Sequence, residues 1–296
     1  MKLSNFSKLS FGIGALGKDL CYAIISYFLM IYFTDVVGIN PAFVGTLFLM
    51  ARLWDAINDP IMGMIVDNTR SRFGKFRPWI FIGTILNSVV LFLLFRKPDL
   101  EGTSLYLYYS VMYILWGMTY TIMDIPYWSM IPTLATTKED REKISVVPRI
   151  FASLGGLTVT TFGIALVNKL GNGNQIKGFE YFALGIVIIF IISTIVTCIN
   201  VKEKTQVQVN NEKVNIKQAF NILKQNDQLL VFIGIVLAYN LAMQLAGGAA
   251  IYYFKYVAGK ESLFSLYSFF KVAEIGGLML FPVVTRKIGR QQVFRV

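Results

Sequence analysis

The sequence predicts an all-α membrane protein. Of its 296 residues, 55% are hydrophobic, 15% aromatic and only 15% charged, too little polar surface for a soluble chain of this length. A hydrocarbon core about 30 Å thick takes roughly 20 apolar residues per helix. Eight stretches meet that need, near 11–37, 43–66, 78–95, 105–132, 150–168, 180–201, 229–257 and 263–284. None shows the strict alternation of a barrel strand, and lipid does not tolerate unpaired backbone. Lys2 and Lys8 precede the first stretch, but no short apolar region with a small-residue cleavage site follows, so the first helix is expected to be retained.

The net charge of +11 has to be placed before it is interpreted. With the N-terminus on the cytoplasmic side, cytoplasmic segments hold 18 of the 28 Lys and Arg and external loops hold 6. Lys18, Arg52, Arg149 and Lys271 fall inside or at the edges of helices. This is the positive-inside asymmetry of an inner-membrane protein, not a nucleic-acid footprint. The chain has no histidine, which removes His-based proton relays, His-metal centres and Ser-His-Asp hydrolysis together. Cys21 and Cys198 stand far apart with no CxxC spacing, so they carry neither a disulfide nor a metal argument. No nucleophile–base pair can be assembled, and an enzyme is not expected.

The first stretch opens with Gly12-Ile-Gly14-Ala-Leu-Gly17-Lys18, which matches GxGxxG and most of a Walker A pattern. No strand precedes it, and Asp19 occupies the position that demands Ser or Thr, where a carboxylate repels phosphate. The glycines are read as small residues that let this helix approach a neighbour. Asp19 is one of four carboxylates within the membrane, with Asp55, Asp59 and Asp124. Each mid-helix charge costs ~2.5–3.5 kcal/mol on insertion scales, so such groups are candidates for function.

On the second stretch, Asp55, Asn58 and Asp59 stand at i, i+3 and i+4 and present several oxygens on one helix face. Carboxylate and amide oxygens grouped in this way suit a hard cation such as Na⁺, and two adjacent acids also favour uptake of a proton. Asn58 favours Na⁺, because an amide oxygen ligates a metal ion and adds nothing to proton binding. Arg52 could pair with these acids for structure alone, but one arginine cannot neutralise two aspartates.

On the fourth stretch, Tyr120, Asp124 and Trp128 share a face at i, i+4 and i+8. A carboxylate that accepts hydroxyl hydrogen bonds, flanked by rings that pack on a pyranose, is the chemistry of a sugar site. If helices 1–3 and 4–6 are inverted repeats, Asp19 and Asp124 face one another across one cavity, with Lys18 beside them. Arg149, expected at the mouth of the fifth helix, is either a forked donor to the same hydroxyls or a partner of one of these acids.

The polar run 202–228 reads as a cytoplasmic middle loop between a six-helix bundle, 1–201, and the start of a second bundle, 229–296. Two six-helix bundles joined by such a loop make the major facilitator arrangement, so the second bundle is expected to be incomplete at Val296.

The chain resembles the glycoside-pentoside-hexuronide:cation symporters of the major facilitator superfamily. The likeness rests on Phe11–Asp19, Thr34–Gly38, Trp54–Gly63, Arg70–Trp79 and Tyr113–Pro132, and runs to the end of the chain. It implies a cation site of Asp55, Asn58, Asp59 and Thr121, and a sugar site of Lys18, Asp19, Tyr120, Asp124, Trp128 and Arg149. It implies a cytoplasmic gate built on Asp67, Arg70, Gly74 and Lys75. The activity implied is symport of Na⁺, Li⁺ or H⁺ with a galactoside such as melibiose, with no cofactor, in the bacterial inner membrane. Tyr22 and Ser26 stand where melibiose-taking members carry an aliphatic residue and a tyrosine, which weakens the galactoside expectation more than that of a sugar. Alternatives are a non-transporting fragment, or a lysophospholipid transporter, which would need a more apolar cavity.

Overall fold

The computed structural model describes residues 4–135, 138–203, 225–260 and 262–288. Eight long helices appear among them: α1 Asn5–Ile31, α2 Pro41–Asn68, α3 Arg77–Phe95, α4 Gly102–Ser129, α5 Lys138–Gly171, α6 Gln175–Asn200, α7 Asp227–Tyr252 and α8 Phe270–Ile288. There is no strand among the described residues, so the expected all-α membrane architecture holds. Six spans, built on all but α2 and α4, are long and apolar enough by themselves to cross a bilayer. Arg52, Asp55 and Asp59 lower the hydropathy of α2, and the many tyrosines lower that of α4.

Several helix starts are fixed locally. The side chains of Ser4, Asn40, Asn174 and Asn226 accept backbone N–H groups at the first turns of α1, α2, α6 and α7, satisfying donors that have no helical partner. The start of α3 is capped from a distance. The Glu203 carboxylate, just after α6, accepts the backbone N–H of Lys75 at 2.6 Å, Phe76 at 2.9 Å and Arg77 at 3.0 Å, where the helix dipole favours an anion.

The boundaries differ from expectation in three places. α5 begins near Lys138, not 150, because its polar first turns are anchored by a buried 2.6 Å ion pair between Lys8 and Asp140. Arg149 therefore lies well inside the helix, next to Pro148. The last stretch is broken at Ser268–Phe269 into a short turn, Ser262–Tyr267, and α8. Residues 204–224 of the expected middle loop and the basic Arg290 and Arg295 lie outside the described residues.

The packing follows an inverted repeat. α1 packs on α5 and α6, its counterpart α4 packs on α2 and α3, and α3 meets α6 between them. The glycines of α1 make the close approaches: a Cβ on Gly12 would strike the Phe151 ring of α5, one on Gly14 would strike Thr197, and one on Gly17 would lie 1.8 Å from Ser193 Oγ and 3.1 Å from Phe190 Cα. Phe11, Phe28, Tyr32, Tyr109, Trp116 and Tyr127 fill the core beside them.

α1 and α7 end alike. Both continue into a π-helical turn, Tyr32–Val37 and Tyr253–Val257. The pattern Tyr-Phe-x-x-Val-x-Gly occurs in both, at 32–38 and 253–259. Each closes on a glycine with positive φ, Gly38 at 89° and Gly259 at 65°, a conformation open to glycine at no steric cost. The two ends touch: Lys255 Nζ and Tyr256 Oη each lie 2.5 Å from Asp35 Oδ2, and the Thr34 and Tyr252 hydroxyls are 3.0 Å apart.

Gly17→Val is expected to lower the melting temperature of the purified protein by several degrees, at a cost of about 1–3 kcal/mol for overpacking. Gly185→Val, which meets nothing within 4 Å, is the control and should not. A double-mutant cycle of Asp35→Asn and Lys255→Met should return a coupling of about 0.5–3 kcal/mol. Additive effects would show that the clasp contributes no stability.

Candidate functional site

The site is organised by Lys18. Its ammonium lies 2.7 Å from Asp124 Oδ1 and 3.0 Å from Asp19 Oδ2, with only 4% of the side chain exposed. Two acids on two helices thus share one cation. Asp19 and Asp124 therefore meet at a common lysine; they do not confront each other across open space. Trp128 Nε1 donates to Asp124 Oδ1 at 3.1 Å. Lys18 Nζ lies 3.4 Å from Tyr120 Oη and 4.8 Å from the centre of the Trp128 ring. The i, i+4, i+8 spacing on α4 does bring Tyr120, Asp124 and Trp128 to one place.

A cavity of about 480 Å³ opens beside this cluster, within the range of small-molecule pockets. Asp19, Trp128 and Arg149 line it; Lys18 and Tyr120 are buried behind them, and Asp124, bonded to Lys18 and Trp128, keeps 27% of its side chain exposed. Arg149 places its guanidinium 6.0 Å from the Trp128 ring centre. Of the two roles left open for it, this position favours that of a cavity donor. Tyr22 and Ser26 also line the cavity, so their departure from the expected pattern falls on its wall.

Of the lining residues from α7 and α8, Asn240 and Glu274 had not been singled out from the sequence, and Lys271 had been noted there only for its place in a helix. Lys271 was visible as a charge in an apolar stretch. The break in the last helix, which orients that charge, has no comparable signature.

The second cluster lies on α2 and α4. The Thr121 hydroxyl donates to Asp59 Oδ1 at 2.9 Å. Arg52 pairs with Asp55 at 3.2 Å and reaches Tyr113 Oη at 3.3 Å, so the arginine takes one aspartate and leaves the other to Thr121. Gly117 lets Asp55 come close to α4, since a Cβ there would lie 3.2 Å from Asp55 Oδ1. Asn58 Nδ2 is buried without a hydrogen-bond partner. Among the described residues, no three His, Cys, Asp or Glu gather as for a transition metal. Two carboxylates, an amide and a hydroxyl are instead the donor set of a hard, oxygen-seeking cation.

The loop between α2 and α3 holds the residues expected at a gate. Lys75 Nζ pairs with Asp67 Oδ1 at 2.8 Å. Gly74 has φ +106°, and a Cβ on it would lie 2.6 Å from Glu203 Oε1, so glycine lets the turn close around that carboxylate. Glu203 is a further member of this cluster; in the sequence it reads only as one charge in a mixed run.

Comparisons with known proteins place the chain among sugar transporters. The chain is 31% identical to the inner membrane symporter YicJ of Escherichia coli strain K12, over 88% of this chain and 56% of that protein. It is 31% identical to a lactose permease of Lactobacillus delbrueckii subsp. bulgaricus, over 99% of this chain and 49% of the permease. It is 29% identical to the raffinose carrier protein of Pediococcus pentosaceus, over 97% of this chain and 48% of the carrier. The chain thus spans about half the length of these curated relatives. The family model described as MFS/sugar transport protein matches residues 10–296, and the chain belongs to that family.

Proposed function

We propose that this chain forms the cation site and most of the sugar site of a symporter that couples entry of Na⁺, or of Li⁺ or H⁺, to uptake of a glycoside by alternating access. One observation carries the reading. Thr121, bonded to Asp59, and Asp124, bonded to Lys18, are three residues apart on α4. A cation held by Asp55, Asn58, Asp59 and Thr121 fixes the turn of α4 that presents Asp124 and Trp128 to the cavity. A sugar held there fixes Thr121 in return. Such coupling is reciprocal by thermodynamic necessity.

In this reading the sugar stacks on Trp128, donates hydroxyls to Asp19 and Asp124, and accepts from Arg149, while Lys18 and Tyr120 hold the carboxylates in place. The relatives named for lactose and raffinose support a galactoside, with melibiose a reasonable first probe. The charged lining from Asp19, Arg149, Lys271 and Glu274 weighs against a lysophospholipid. The positive-inside pattern supports a multi-pass inner-membrane protein with its N-terminus in the cytoplasm, a first bundle of 1–201, a middle loop of 202–228 and a second bundle from 229. The Asp67–Lys75 pair, with Arg70 and Gly74, then acts as the cytoplasmic gate.

Cells expressing the gene to its stop codon should take up labelled melibiose or lactose with sodium stimulation, and Asp59→Cys should abolish the stimulated part. Uptake that ignores sodium, lithium and protons would contradict the coupling. Asp124→Asn should weaken sugar binding about 10–100-fold, the loss of hydrogen bonds to a charged acceptor worth about 1.5–3 kcal/mol, measured by titration of the sugar into purified protein. An unchanged affinity would remove Asp124 from the site.

A further inference from the structure

The cavity ends on one aromatic ring. Toward the end at which α1 finishes, its lining stops at Tyr27 on α1 and at Gly247 on α7, and α8 begins its share at Lys271. These three meet. A Cβ on Gly247 would lie 3.1 Å from Tyr27 Cε1, closer than side chains ordinarily pack. Lys271 Nζ lies 5.4 Å from the centre of the Tyr27 ring, an attraction between a cation and a π face. Phe264 of the short turn Ser262–Tyr267 stands against the same ring, with centres 6.3 Å apart. Past Tyr27 the path is filled: the Phe28 and Phe264 rings, 6.1 Å apart, are 0% and 1% exposed.

α1 and α7 run in step from there to their tips. Tyr27 and Asp35 are eight residues apart, as are their partners Gly247 and Lys255, about 12 Å along each helix at 1.5 Å per residue. The rest of α7 stands off. Leu237, Leu241 and Leu245 are 64%, 62% and 65% exposed, whereas Ile251, one turn past Gly247, is 1% exposed. Among the described residues, the turns of α7 before Gly247 therefore line the cavity without packing across it, and α7 closes on α1 from Gly247 outward. Lys271 also acts electrostatically on Asp19, so this closure stands over the site already described and forms no separate pocket.

Resting on the symporter reading above, we propose that Tyr27 is the lid of the sugar cavity on its outer, periplasmic side. Seated on Gly247 it shuts the cavity, and the sugar passes outward or inward at this end when the ring lifts from that seat. Gly247 is glycine because the ring rests on bare backbone, and the Asp35–Lys255 pair holds α1 to α7 while the lid is down. Opening requires both contacts to part, since they lie on the same run of two adjacent helices.

The test is labelling of Asn240→Cys, on the cavity wall seven residues before Gly247, by a membrane-impermeant thiol reagent added outside right-side-out vesicles that hold the full-length protein. Labelling of protein without Asn240→Cys is subtracted, since Cys21 and Cys198 remain. The rate is compared with that in Tyr27→Ala, which removes the lid, in Gly247→Val, which fills its seat, and in Tyr27→Phe, which keeps the ring. Gly248→Val, where a Cβ meets nothing within 4 Å, is the control. With the open form at ~0.1–10% of the wild-type population, labelling should rise about 10-fold or more in Tyr27→Ala and Gly247→Val, and less than about twofold in Tyr27→Phe and Gly248→Val. Unchanged labelling in either Tyr27→Ala or Gly247→Val would overturn the inference. An equal rise in Gly248→Val would overturn it too, by showing loosened packing in place of a lifted lid. The predicted pattern with no protection of Asn240→Cys by melibiose or lactose would keep the lid and overturn the sugar-site reading instead.

Discussion

One buried ammonium organises the membrane interior of this protein. Lys18, almost wholly out of solvent, holds Asp19 on its own helix and Asp124 on α4. Desolvating these groups costs several kcal/mol per ion, and only close geometry with further hydrogen bonds compensates. That geometry exists because α1 is a glycine-faced helix. Gly12, Gly14 and Gly17 seat one side of it against α5 and α6, and Lys18 is left facing α4. A change that lifts α1 from its bed would unseat the ion cluster as well, so packing and site cannot be varied independently.

α4 links the Lys18 partner Asp124 to the second polar cluster through Thr121. Arg52 occupies Asp55, and Thr121 occupies Asp59. In the proposed reading, a cation entering here competes with Arg52 of α2 for one carboxylate and with the Thr121 hydroxyl of α4 for the other. The ends of the molecule carry two further ion pairs. Asp67–Lys75 closes the turn after α2, and Asp35–Lys255 joins the tip of α1 to that of α7. α1 and α2 run antiparallel, so these pairs lie at opposite faces of the membrane. Asp35–Lys255 joins α1 to the turn after α7, whereas Asp67–Lys75 lies within the α2–α3 connection, and both are formed in this structure.

Much of this was legible in the residues. Eight apolar stretches became eight long helices, because lipid leaves helix as the only solution for an unclosed chain. The spacing of Tyr120, Asp124 and Trp128 carried through to contact, since helical periodicity alone decides which residues share a face. What was not legible depended on partners distant in the chain. The early start of α5 is set by Lys8 meeting Asp140, and the cap of α3 is a carboxylate 126 residues beyond Arg77. The similar ends of α1 and α7 were written in the sequence as Tyr-Phe-x-x-Val-x-Gly, but their short, mostly apolar pattern is lost among helices of the same composition. The sharing of Lys18 by two acids needs the crossing of α1 and α4, which no local pattern supplies.

The central claim is that the cation and sugar sites are coupled through one turn of α4. Its most direct test is to titrate the sugar into purified wild-type protein at saturating and at negligible sodium, and sodium at saturating and at negligible sugar. The account predicts that sodium raises sugar affinity by a factor between about 5 and 150, and that sugar raises sodium affinity by the same factor. Sugar binding with the same affinity at both sodium concentrations would contradict it.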